Sequence, residues 1–134
     1  MSEEGPVMIE AGARLHGGVA PSLFKECYEP DLLGMSVDLY SGTRPKAGPS
    51  RKIRDGRIVF LINRVAGATL HIDLTKVAQL NALSAYKGHK LFNADGPLPL
   101  TIDLATCPGI VWLAHEQMAR INADEMAVRA IIEG

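Results

Sequence analysis

Arg57-Ile-Val-Phe-Leu-Ile-Asn63 is the stretch that decides the fold class. It is short, continuously apolar and β-branched, which predicts a central strand. Val65-Ala-Gly67 reads as a turn, and Thr69 to Asp73 alternates polar with apolar residues. Residues 57–64 and 68–73 are therefore expected to form a hairpin. Upstream, Met35, Val37 and Leu39 alternate with Ser36 and Asp38, the pattern of a half-buried strand over 34–40. Ser41 to Ser50 follows as a loop by its glycine and proline content.

Downstream the period changes. Leu74, Val77, Leu80 and Leu83 share one drifting face, and Lys87-Gly88 supplies a last-turn base and a C-cap glycine. A helix is expected over 74–87. Asn93-Ala-Asp-Gly96 is a turn. Leu98, Leu100, Ile102 and Leu104 then alternate with polar or proline residues, and Pro99 places that strand at an edge. Thr106-Cys-Pro-Gly109 opens a final helix, expected from Ile110 to Ile132 and ~34 Å long. Ala114, Met118, Ile121, Val128 and Ile132 form its stripe, which Glu125 interrupts. Such a helix either packs across the sheet or outruns the domain, offering Met118, Ile121, Met126, Val128 and Ile132 to another copy or a partner.

The expected fold is α+β: a small, mainly antiparallel sheet of four or five strands, one mid-chain helix and a long C-terminal amphipathic helix. Residues 1–22, rich in Gly, Ala and Pro, read as an arm with one short strand over 7–10, and residues 23–134 as one domain. The length of 134 residues suits one domain with a real core. No run approaches the ~18 apolar residues of a membrane span, so no membrane partner is expected. The start lacks a basic region followed by an apolar one. Cys27 and Cys107 form no CxxC pair and read as reduced thiols of an unsecreted protein, cytoplasmic or in a virion.

Chemistry-bearing motifs are weak. His115-Glu116-Gln117-Met118-Ala119 begins like a zinc-binding HExxH but ends in alanine, so no metal site is expected. His71 and Asp73 would share a strand face. They read either as a metal or imidazole-orienting pair, or as a solvent-facing histidine beside a helix N-cap. Cys107 is either a thiol activated by a helix N-terminus or a buried one. No nucleophile elbow, dinucleotide fingerprint or Walker loop occurs, and no cofactor is expected.

The sharper signal is charge. The net of -1 hides segments of opposite sign: -4 over 1–31, +4 over 32–57, +2 over 58–100 and -3 over 101–134. Arg44, Lys46, Arg51, Lys52, Arg54 and Arg57 face one acid, Asp55, across a loop with two prolines and two glycines. Such a loop is a solvated connector, or binds an acidic protein surface, or binds nucleic acid, although aromatic residues for base stacking are missing. Acidic residues at both ends of the chain favour head-to-tail contacts between copies.

Val37-Asp-Leu-Tyr-Ser-Gly-Thr-Arg-Pro45 resembles a motif of small tailed-phage proteins, in which an apolar strand ends in Tyr-Ser-Gly-Thr-x-Pro before a flexible loop. The match covers nine residues and implies a virion or assembly component without catalysis. It carries over no site residue. The downstream Ala/Thr-rich strand of that pattern is replaced here by the basic stretch. The expected function is a non-enzymatic structural protein forming homo-oligomers. The alternative is a small ligand-binding or enzymatic domain using His71, Asp73 or Cys107.

Overall fold

The computed structural model describes Gly5, Leu15 and residues 17–46, 48–92 and 96–134. The expected N-terminal arm, with its strand over 7–10, lies outside these residues for most of its length. Its last residues begin a helix, α1 (Ala20–Cys27), with Pro21 in the first turn. Then follow β1 (Tyr28–Glu29), α2 (Leu32–Tyr40), β2 (Arg51–Lys52), β3 (Asp55–Phe60), α3 (Leu74–Asn81), β4 (Tyr86–Leu91), β5 (Gly109–His115) and α4 (Met118–Ile132). The class is α+β, as expected. The strands divide into a three-stranded antiparallel sheet, order β3-β5-β4, and a two-stranded ribbon of β1 with β2.

The largest correction is at the C-terminal end. Ile110 to Ala114, expected to begin the last helix, is instead the central strand β5. It pairs with β3 from Asp55↔His115 to Phe60↔Ile110, and with β4 from Tyr86↔Leu113 to Leu91↔Gly109. Pro108 and Gly109, read as a helix start, are buried at the head of this strand. The helix proper begins only at Met118, so it is 15 residues long and does not outrun the sheet.

Strand alternation then separates two faces. Val59, Val111 and Leu113 share a core with Leu61 just beyond β3, Leu80 of α3, and Ile121, Val128 and Ile132 of α4. On the other face Ala114, Ile58 and Trp112 meet Leu23 and Cys27 of α1. That approach depends on Gly56, where a Cβ would lie 2.6 Å from the Cys27 sulfur. Gly88 has the same role at the other edge, since the Trp112 ring lies across the space a Cβ would fill.

The expected strand over 34–40 is the helix α2. Its caps are complete in themselves. The Asp31 carboxylate accepts from the Leu33 amide at 3.0 Å, the N-cap arrangement. At the other end Thr43 N–H donates to Asp38 C=O and Gly42 N–H to Leu39 C=O, with Gly42 at φ +79°. These bonds are the Schellman closure of a helix. The second hairpin strand over 68–73 and the edge strand over 98–104 do not form. The first is a loop whose Leu70 and Ile72 pack on the main core. The second is held by local bonds around Thr106, whose hydroxyl accepts from the Ile102 and Asp103 amides. The mid-chain helix stops at Asn81, because residues beyond it turn to enter β4.

Candidate interaction surface

Two polar tethers stitch α4 to the sheet. Glu125 accepts from Arg57 at 2.6 Å and from Arg129 at 3.0 Å. Glu133 accepts from Arg129, from Arg64 and from the Ile62 amide. Burial alone would raise the Glu125 carboxyl, but hydrogen bonds from Arg57 and Arg129 outweigh it and hold it below its ordinary value. The acid that interrupts the apolar stripe is thus the partner of a strand arginine. Asp124, the residue before Glu125 and buried, accepts from the Ala85 amide at 2.7 Å and from the Ser84 hydroxyl, fixing the turn between α3 and β4.

These contacts redefine the residues expected to meet a partner. Ile121, Val128 and Ile132 are buried in the chain's own core. Of that set only Met118 and Met126 reach the surface. Among the basic residues, Arg51 pairs with Glu29, Lys52 with Asp55, Arg54 with Glu26 and Arg57 with Glu125. The segment from Ser41 to Asp55 is therefore ordered in part by the chain itself, through β2 and these pairs. Arg44 and Lys46 are exposed and make no ion pair among the described residues.

The alternative site residues are scattered. Asp73 is the N-cap of α3, its carboxylate accepting from the Lys76 amide, and His71 is exposed. Cys107 is buried ahead of a strand, not a helix, and its thiol donates to the Gly109 carbonyl. His115 Nδ1 accepts from the Gln117 amide, beside an open polar groove formed with Ser84, Arg120 and Asp124. That groove contains none of His71, Asp73 and Cys107. His89 instead bonds the Tyr86 hydroxyl, and burial lowers the imidazole and raises the phenol, so both stay neutral near pH 7. Burial, with Glu26 nearby, also pushes the Cys27 thiol up, away from reactivity. Among the described residues no group of three or more side chains could hold a metal ion.

What the fold does present is apolar surface. None of the nine residues of α2 is buried. Val37 and Leu39 are each 62% exposed and Tyr40 86% exposed, with Leu32 and Leu33 at 43% and 39%. A second apolar surface is a groove of about 290 Å³ on the α1 side of the sheet, lined by Val19, Ile58, Phe60, Phe92, Leu104 and Ile110. Local sequence made α2 findable: Asp31 precedes two leucines, and Ser41-Gly42 ends the run. The groove had no such signal, because Phe60, Phe92 and Leu104 come from three separate segments.

These features define an α+β domain that carries an uncovered apolar helix and an apolar groove. Comparison with protein-family models, curated proteins and solved structures found no match to this chain. Among the described residues no helix is long and apolar enough to cross a membrane.

Proposed function

We propose that this protein is a non-enzymatic structural subunit that assembles with copies of itself. The observation that carries this reading is α2: a helix capped at both ends, apolar over most of its surface, and without one buried residue. A helix that is apolar all round is ordinarily buried. The exposed fractions of Leu32, Leu33, Val37, Leu39 and Tyr40 amount to about 500 Å² of mostly apolar surface, toward the upper end of the roughly 300–600 Å² of a monomer's largest patch, which is often functional. Arg44 and Lys46 follow within six residues of the helix end and make no ion pair among the described residues, which suits a rim that selects an acidic neighbour.

A virion is the setting supported by the resemblance at 37–45. The shared part is the Ser-Gly turn and proline exit, since the residues before them are helical here. The test is the native mass by sedimentation velocity over a wide concentration range at low salt. A species heavier than the 14.4 kDa chain, growing with concentration, is expected. A monomer at the highest concentration removes the reading.

A further inference from the structure

Both apolar surfaces adjoin α1. Its eight residues span ~12 Å. Val19 and Ala20, at its start, line the groove, while α2 follows from its far end through β1 and is held against it. The surfaces also differ in shape. The groove is concave, with Phe60, Phe92 and Leu104 left exposed along its walls. The helix is convex, and Leu33, Val37 and Tyr40 fall at i, i+4 and i+7, the spacing of anchors that a helix lays into a groove.

We infer that copies of this protein join head to tail, with α2 of one copy seated in the apolar groove of the next. The inference rests on the self-assembly reading above and specifies its contact. A symmetric pairing of α2 with α2 would leave the groove uncovered. Filling the groove with the same chain's N-terminal residues would leave α2 uncovered. One heterologous contact covers both surfaces and, by repeating, builds a ring or a filament.

Charge supports the same pairing. On the helix side Asp38 lies within α2, and Arg44 and Lys46 lie just beyond it. On the groove side Lys90, its ammonium 6.0 Å from the Phe92 ring, and Asp103, next to Leu104, are both exposed. Each side thus offers one acid and at least one base. Asp38 meets Lys90 and Arg44 meets Asp103 in one orientation, while the reversed orientation sets like charges together.

The test uses the full chain, whose own Cys27 and Cys107 are buried. Thr43→Cys protein is mixed with Ala105→Cys protein and treated with a short bismaleimide, both positions being exposed and beside the anchors and groove walls without belonging to them. A product of twice the 14.4 kDa chain mass is expected in the mixture and not in either variant alone. Separately, Asp38→Lys and Lys90→Asp should each weaken self-association about tenfold, and the two together in one chain should restore it. If the protein assembles but Thr43→Cys alone crosslinks as well as the mixture, the contact is symmetric and the inference falls while self-assembly stands. The inference falls in the same way if an assembled mixture gives no crosslink. A chain that stays monomeric, or one that binds anionic lipid vesicles through α2 without associating, overturns both.

Discussion

Replacing Leu33, Val37 and Tyr40 together by glutamine separates the role of α2 in folding from its role in assembly. The three residues are exposed to 39%, 62% and 86%. On residues of this size the exposed fractions come to roughly 350 Å². Complete burial at ~25 cal/mol per Å² sets a ceiling of about 9 kcal/mol. Lost translational, rotational and side-chain freedom consumes most of such a sum. A net loss of about 2–4 kcal/mol is expected, the range of a genuine hot spot, which weakens association roughly 30- to 1000-fold. Glutamine keeps helix propensity at or above that of valine and tyrosine, so the caps at Asp31 and Gly42 still hold the helix. The melting temperature at a concentration where both proteins are monomeric should shift by no more than about 2 °C. Sedimentation velocity across a dilution series reads the first quantity and thermal circular dichroism the second. If the triple variant assembles like the parent chain, α2 is not the interface. If its monomer melts more than about 10 °C lower, α2 belongs to the core and the reasoning from exposure is wrong.

Other perturbations address the scaffold and the charges. Asp124→Ala strands the buried Ala85 amide without its acceptor and should cost about 1–3 kcal/mol in urea unfolding, while Asp124→Asn, which keeps an oxygen acceptor, costs less. Glu125 has a folded-state pKa below its ordinary 4.5, so its contribution is fully present above that value and is lost as pH falls through the lower folded value. Glu125→Gln should therefore lower the melting temperature by a few degrees at pH 7 and flatten the acid limb of a stability-versus-pH curve below about 4.5. Because Arg51, Lys52 and Arg54 are paired inside the chain, changing all three to serine should leave assembly within about twofold, whereas Arg44→Ser with Lys46→Ser should weaken it and reduce its salt dependence. Sedimentation at 0.1 M and 1 M salt distinguishes these outcomes.

Some of this molecule was written locally. The β-branched run within Arg57–Asn63 contains most of β3, and Asp73 caps α3 where the helical period begins. The α+β class follows from those two segments. The helix α2 was also locally encoded, through Asp31 and Ser41-Gly42. The alternation of Met35, Val37 and Leu39 points to a strand, but the same residues suit a helix, and the two caps decide between them.

The rest needed the assembled fold. Ile110 to Ala114 is five apolar residues, which suit either a buried strand or the first turns of a helix. What makes them β5 is a position between α4 and α1, with hydrogen-bonding edges on both sides supplied by β3 and β4. β4 itself, Tyr86-Lys-Gly-His-Lys-Leu91, has little strand character and is recruited because Gly88 lets Trp112 lie against it. The basic run looks unsatisfied in sequence because its acidic partners, Glu26, Glu29 and Glu125, lie 22 to 68 residues away. Periodicity and capping are properties of neighbouring residues and survive in the sequence. Burial on two faces, ion pairing at long range and a groove assembled from distant segments exist only once the chain has closed on itself.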